Sequence, residues 1–244
     1  MSAIYEDPAI LAEYLLFHYG CPEEILPPDV NWPAGMADSL GFAERTPSHF
    51  SGSRVASGLD LGCAVGRSAF EMTRRCDRVI GLDFSHAFIA AANRLLNGET
   101  VPYERLDEAH RKSVLSATLP EGVDPAKVSF LQGDAMHLPD DLGTFDRVHA
   151  ANLICRLTDP ELLLDRLPHI INRGGELILA TPCTWLEGFT APQKWPAGET
   201  LDWLKDHLGR SFELTACLDE PFLIRETARK FQWTRSLLTV WRRR

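Results

Sequence analysis

Apolar and polar positions recur with two different periods along this chain. Ile10, Leu11, Tyr14, Leu15, Phe17 and His18 repeat at helical spacing, and Gly20 and Pro22 stop the run. The Pro- and Gly-rich stretch CPEEILPPDVNWPAG follows. Residues 1–50 therefore read as a helical cap belonging to the same domain, because they hold too few apolar residues to close a core alone. From Val55 the pattern becomes strand, turn and helix. VASGLDLG is a short apolar strand and RSAFEMTRRC a helix with Ala69, Phe70 and Thr73 on one side. RVIGLDFS is a second strand, and SHAFIAAANRLL a second helix with Ser85 as N-cap and Gly98 just past its end. Residues 98–127 are polar and irregular, with a short helix predicted over 107–119. VSFLQGDA and TFDRVHAAN are the next strands; DPELLLDRLPHII is a helix stopped by Arg173, Gly174 and Gly175, and GELILATP a fifth strand. After the helix TLDWLKDHL, the β-rich runs FELTACLDEPFLI and TRSLLTVWRR pair as an antiparallel edge.

Strands alternating with helices predict a parallel sheet wound right-handedly, with helices on both faces. The expected architecture is α/β and Rossmann-like: a mostly parallel seven-stranded sheet over residues 51–244 with an antiparallel C-terminal edge strand, preceded by the cap. A length of 244 residues suits one such domain and is short for two.

Composition narrows the partners. With 45% hydrophobic and 24% charged residues the chain is not largely disordered. A net charge of −9 repels polyanions, so no nucleic-acid partner is expected. The N-terminal MSAIYEDPAILAEYLLFHYG lacks a signal-peptide pattern, and no run approaches a membrane-spanning length, so a cytoplasmic enzyme without a membrane partner is expected. The six cysteines are scattered without metal-ligand spacing, which indicates neither a zinc site nor a disulfide framework; most are expected to be buried or half-buried thiols. One basic stretch departs from the acidic average. Arg242, Arg243 and Arg244 suit a charged strand edge, whereas Arg225, Arg229 and Lys230 precede an apolar run and are candidates to face a small anionic substrate.

In a sheet of this kind ligands sit beyond the carboxyl ends of the strands. The first strand ends in Asp60, Gly62 and Gly66, the second in Asp83, the third in Gly133, Asp134 and Ala135, and the fourth in Ala151 and Asn152. A dinucleotide would bring a pyrophosphate close to the first loop, where Ala64 fills the slot that favours glycine and Asp60 opposes the charge. S-adenosylmethionine meets the same rim better. Its amine and sulfonium suit Asp60, its ribose diol suits Asp83, and its adenine amino group suits Asp134, with Phe84 and Met136 as apolar ring neighbours. Its carboxylate suits the amides opening the first helix, with Arg67; Cys63, Ser85, Ala135 and Ala151 complete the expected cofactor set.

The pattern D-x-G-x-A-x-G, an acidic residue about 20 positions on and then GDA resembles the class I methyltransferases. Longer runs narrow the likeness. EYLLFHYG, LDLGCAVGRSAFE, VIGLDFSHAFI, ANRL, ANLICRL, TPCTWLEGFT and FLIRETARKFQWT resemble the methyltransferases of ovothiol biosynthesis, described as 4-mercaptohistidine N1-methyltransferases. That resemblance implies methyl transfer from S-adenosylmethionine to an imidazole nitrogen of 5-thiohistidine, by a free-standing module that pairs functionally with a separate sulfoxide synthase. Displacement at the sulfonium carbon calls for alignment and exclusion of water more than for a strong base, so no catalytic residue is assigned.

The expected acceptor contacts lie in the family-like runs. Tyr14, His18 and Tyr19 fall on the cap helix, Asn152 and Arg156 follow the fourth strand, and Trp185 is placed to wall the pocket. Arg225, Arg229 or Lys230 would hold the amino-acid carboxylate; His149, within the fourth strand, is expected to point into the packing and ranks below His18 as a ring contact. Three alternatives stay open: methyl transfer to another small acceptor, a nicotinamide-dependent oxidoreductase, and a catalytically silent S-adenosylmethionine-binding partner.

Overall fold

Continuous apolar runs suit strands that are covered on both faces. The computed structural model describes residues 3–244, and in it these runs become β1 (Val55–Leu61), β2 (Cys76–Asp83), β5 (Val128–Gln132), β6 (Phe145–Ala151) and β7 (Ile171–Thr181). Between β2 and β5 stand β3 (Val101–Glu108) and β4 (Arg111–Ala117), and the chain closes with β8 (Phe212–Arg225) and β9 (Phe231–Arg243). Seven strands form one sheet in the order β5-β2-β1-β6-β7-β9-β8. The β5, β2, β1, β6 and β7 strands are mutually parallel, and β9 enters antiparallel between β7 and β8. The connection order reverses between β1 and β6, which opens a crevice at their carboxyl ends.

The helices are α1 (Pro8–Tyr19), α2 (Pro22–Ile25), α3 (Phe42–Arg45), α4 (Arg67–Met72), α5 (His86–Leu96), α6 (Pro160–Ile170) and α7 (Thr200–Leu208). Alternation along β7 separates two cores. Ile178 and Ala180 join the core shared with α1, α4 and α5, whereas Leu177 and Leu179 face the core shared with α6 and α7. Helix α1 starts on Asp7, whose carboxylate accepts the Ala9 amide at 2.7 Å, with Pro8 at its first position. Leu15 and Leu16 are each 1% exposed, so each contributes roughly 1.5–3 kcal/mol of burial to the shared core. The first fifty residues thus pack into the same core as the sheet.

Three local readings change. Residues 101–117 form an antiparallel hairpin rather than a helix, and it packs against α1. Its polar positions are occupied by charges that pair across and along the strands: Lys112 Nζ donates to Glu104 Oε2 at 2.7 Å, and Arg105 Nη2 to Asp107 Oδ1 at 2.8 Å. Those charges mask the apolar alternation at Val101 and Tyr103. Helix α4 stops at Met72 because Thr73 turns its hydroxyl back to the Phe70 carbonyl at 2.7 Å, and Cys76 already belongs to β2. Helix α6 passes into β7 at Ile171, before the glycines. Gly174, at φ +77°, sits inside an irregularity of the β6–β7 register instead of ending the helix. Of the cysteines, Cys63, Cys76 and Cys155 are buried, while Cys21, Cys183 and Cys217 are exposed, so burial reaches half of them rather than most.

Candidate functional site

A cavity of about 420 Å³ lies at the carboxyl ends of β1, β2, β6 and β7, within the range of roughly 300–1,000 Å³ usual for small-ligand sites. Its floor is the turn from β1 into α4. Gly62 and Ala64, at φ +68° and +47°, line the cavity, and a Cβ on Gly62 would lie 3.0 Å from Leu153. Left-handed backbone costs an alanine roughly 1–2 kcal/mol. The Ala64 amide donates to Asp83 Oδ2 at 2.9 Å, which helps to hold that conformation. Gly66, at φ +89°, serves packing instead: a Cβ there would come within 2.6 Å of the Phe130 ring, and the residue does not line the cavity.

Two carboxylates line the cavity from adjacent strands. Asp83 accepts the Ser85 amide at 2.8 Å besides that of Ala64, and burial pushes its pKa up to about 6. Asp60 is 1% exposed. Its Oδ1 lies 2.8 Å from His149 Nδ1, its Oδ2 has no hydrogen-bond partner, and His149 Nε2 lies 2.9 Å from Thr46 Oγ1. Cys63, Phe84, Ala135 and Ala151 also line the cavity.

Other members of the expected cofactor set do not reach it. Asp134 turns back on its own loop, accepting the Met136 amide at 2.9 Å and pairing with His137 Nδ1 at 3.1 Å; Gly133 and Ala135 line the cavity in its place. The Met136 sulfur is occupied by the Asp159 amide and the Thr158 hydroxyl, each at 3.4 Å. Ser85 caps α5 by accepting the Phe88 amide at 3.1 Å and donates to the Tyr5 carbonyl at 2.9 Å. Arg67 donates to Glu71 at 2.9 Å, Glu44 at 2.8 Å and the His18 carbonyl at 3.2 Å, so its guanidinium ties the cap to α4.

The opposite wall is one face of α1. Ile10, Glu13, Tyr14, Phe17 and His18 all line the cavity, and their spacing is that of a single helix stripe. Burial, assisted by the nearby Arg67 guanidinium, pulls the His18 pKa down to about 3, so the ring is neutral; its Nδ1 has no partner. Burial, with Glu226 adding repulsion, pushes Glu13 up to about 6. Arg156 is the only arginine or lysine among the described residues that lines the cavity. Its Nη1 donates to the Thr184 carbonyl at 3.1 Å, and the guanidinium lies 4.8 Å from the Phe189 ring centroid. Asn152, at φ +55°, lines the cavity while its Oδ1 accepts the Ser236 hydroxyl at 2.6 Å. Phe222, Ile224, Gln232 and Thr234, at the linked ends of β8 and β9, close this side.

The remaining expected acceptor contacts have structural work elsewhere. The Tyr19 hydroxyl donates to the Val65 carbonyl at 2.7 Å, and Trp185 Nε1 donates to Thr200 at 3.1 Å while packing edge-on to Trp203. Arg225, 5% exposed, spends its guanidinium on the carbonyls of Glu24, Ala228 and Thr227 at 2.6, 2.9 and 3.2 Å. Lys230 pairs with Glu226 at 2.5 Å, and Arg229 is exposed. None of the five lines the cavity. Sequence reasoning missed Tyr5, Glu13, Phe17 and the β8–β9 wall, and ranked His149 below His18 although both line the cavity. Continuing the Tyr14–His18 spacing along α1 would have found Ile10, Glu13 and Phe17; nothing local in the sequence points to the others.

Residues 59–179 match the family model described as "Methyltransferase domain". The methyltransferase GfsG of Streptomyces halstedii is 29% identical over 122 residues, covering 50% of this chain and 36% of that protein. A phosphatidylethanolamine N-methyltransferase of Cereibacter sphaeroides is 30% identical over 139 residues, covering 55% of this chain and 54% of that protein. The chain thus spans between about a third and a half of the length of these relatives. Among solved structures, the N-methyltransferase NodS of Bradyrhizobium japonicum in complex with S-adenosylhomocysteine is 15% identical, with a TM-score of 0.54 over 97% of this chain and 99% of that one; that likeness concerns the fold. Over residues 59–179 the chain is similar to methyltransferase domains, its fold is that of solved S-adenosylmethionine-dependent methyltransferases, and S-adenosylmethionine is the cofactor this similarity implies. Among the described residues, no helix is long and apolar enough to cross a membrane.

Proposed function

We propose that this protein transfers a methyl group from S-adenosylmethionine to an imidazole nitrogen of 5-thiohistidine, the acceptor implied by its resemblance to the ovothiol N1-methyltransferases. The observation that supports a small amino-acid acceptor is the charge set of the cavity wall: one guanidinium, Arg156, faces a space also lined by Glu13, Glu226 and the neutral His18. A guanidinium suits a carboxylate, acidic side chains suit an ammonium, and aromatic side chains suit a flat ring. Phosphatidylethanolamine N-methyltransferase and NodS are both named for N-methylation, which agrees with a nitrogen acceptor.

The cofactor half of the cavity fits S-adenosylmethionine on chemical grounds. Asp83 offers acceptor oxygens to a ribose diol, the Gly62–Ala64 turn brings backbone close to the methionine part, and the unpartnered Oδ2 of Asp60 suits an ammonium donor. Bound there, S-adenosylmethionine would supply an electrophilic methyl group, with the thioether sulfur as its leaving group. The chain's own residues bind, orient and exclude water. His18, with its pKa near 3, is too weak a base to take a proton at neutral pH and acts as a neutral hydrogen-bonding ring. Alignment of the acceptor nitrogen is then the main demand on the site.

The test is a product assay: the protein is incubated with S-adenosylmethionine and 5-thiohistidine, with histidine and a panel of small carboxylates in parallel, and products are followed by mass. One added methyl on 5-thiohistidine, located on a ring nitrogen by NMR, is expected. Tight S-adenosylhomocysteine binding without methylated 5-thiohistidine would refute the acceptor; turnover of a panel carboxylate would replace it, and no turnover at all would favour a silent binding partner.

A further inference from the structure

We propose that His149 is a positioning residue for the cofactor's α-amino group, acting through Asp60 from a hydrogen-bonded chain anchored on the N-terminal segment at Thr46. The proposal rests on Asp60 as the acceptor of that amine. Asp60 and His149 are register partners on the adjacent parallel strands β1 and β6. Their neighbours Leu59, Leu61, Val148 and Ala150 face the core under α6 and α7, so alternation turns Asp60 and His149 to the opposite face, beneath the N-terminal segment. Asp60 and His149 are each 1% exposed and Thr46 is fully buried, yet Asp60 and His149 both line the cavity.

The protonation pattern follows from the partners. An ionised carboxylate only accepts, so the 2.8 Å contact places a hydrogen on His149 Nδ1. Nε2 is matched at 2.9 Å by the Thr46 hydroxyl, which serves as donor or acceptor. Both ring nitrogens are therefore hydrogen-bonded within the fold. The effect of the ring is on geometry. A carboxylate turns easily about its terminal torsion. The Nδ1–H bond fixes that plane and leaves Oδ2 uncommitted. A buried, unpartnered carboxylate oxygen is costly and rare in folded proteins unless a ligand group completes it. An ammonium does so with a charge-assisted bond.

Isothermal calorimetry with two probes tests this: S-adenosylhomocysteine carries the amine, and 5′-methylthioadenosine lacks the whole amino-acid part. His149→Leu is expected to weaken S-adenosylhomocysteine binding about tenfold or more while leaving 5′-methylthioadenosine unchanged. His149→Asn restores an N–H at the Nδ1 position and is expected to recover affinity to within about threefold of the parent. Unchanged S-adenosylhomocysteine affinity in His149→Leu overturns the proposal, as does equal weakening of both probes, which would mark a merely structural role. If His149→Leu lacks a cooperative melt, Thr46→Val decides: a selective loss of about threefold supports the chain, and parental affinity overturns it. Asp60→Asn separates the premise from the inference. If it binds S-adenosylhomocysteine normally, Asp60 does not receive the amine; if it loses affinity while His149→Leu does not, only the role of His149 fails. No acceptor enters the assay, so the outcome is independent of the 5-thiohistidine reading.

Discussion

Asp83 gives the site a predicted pH dependence whose size follows from its burial. Its carboxyl is pushed up to about 6, with burial the largest cause and the Ser85 and Ala64 amides opposing it. A ribose diol donates hydrogen bonds and so favours the ionised form. About nine-tenths of the group is ionised at pH 7 and about one-tenth at pH 5, which makes cofactor binding about tenfold weaker at pH 5, or about 1.4 kcal/mol. On the ligand-free fold the sign is opposite. A carboxyl whose folded pKa lies above its unfolded value of 3.8 contributes stability that is fully present below pH 3.8 and lost as pH rises through about 6. The assay is calorimetric titration with S-adenosylhomocysteine from pH 5 to 7.5, in buffers of different ionisation enthalpy so that protons released on binding are counted. Release near pH 6 and tightening toward pH 7 are expected, with Asp83→Asn weak and flat across the range. Glu13 also titrates near 6, so Glu13→Gln serves as the control and should keep the dependence. A parent protein with flat affinity, or an Asp83→Asn variant that retains the slope, would refute the reasoning.

Other residues give sharper structural tests. Gly66→Ala forces a methyl to 2.6 Å from the Phe130 ring at φ +89°, and should cost about 2–4 kcal/mol, seen as a melting point lower by on the order of 10 °C. Arg225→Ala should destabilise by about 2–4 kcal/mol in denaturant titration because the Thr227 and Ala228 carbonyls lose their donor and the Glu24 carbonyl keeps only the 3.4 Å bond from Arg105, while the acceptor KM stays at the parent value; a raised KM with parental stability would return Arg225 to the site. Arg156→Lys should raise the acceptor KM about tenfold with little change in cofactor affinity, because a lysine cannot reproduce the planar fork; steady-state kinetics with 5-thiohistidine checks it.

The cofactor half of the site was legible where sheet geometry alone fixes it. Strand ends meet at one rim in any doubly wound sheet, so Asp60, Gly62 and Asp83 could be placed from chain order. What a strand-end side chain bonds to is not periodic. Asp134 spends its oxygens on the Met136 amide and the His137 ring, Ser85 spends its hydroxyl on backbone groups, and a sequence gives no sign of which oxygen remains free. The charged hairpin of β3 and β4 failed for a related reason: paired Glu104 and Lys112 look like solvated helix positions until their partners are known. Arg225 misled most. A basic residue beside other basic residues suggests an anion site, but this one is buried and saturated by carbonyls from its own loop and from α2.

The acceptor half was less legible because it is assembled from distant segments that carry no periodic signal for it. Helix α1 is apolar nearly all round, since one side packs on the β3–β4 hairpin while another lines the cavity, so no single wet face marks its orientation. The same separation bounds what the domain match can say. It ends at residue 179, whereas Glu13, Tyr14, His18, Phe222, Glu226 and Gln232 all lie outside it. Within the matched segment, Ser68, His149, Asn152 and Arg156 are the polar side chains besides the carboxylates Asp60 and Asp83 that reach the cavity. Likeness to methyltransferases therefore bears on the methyl donor, while on the proposed function most of the wall that would meet an acceptor comes from α1 and the β8–β9 ends, with Arg156 added from the matched segment. Exchanging those segments between related proteins should move acceptor preference and leave S-adenosylhomocysteine affinity in place.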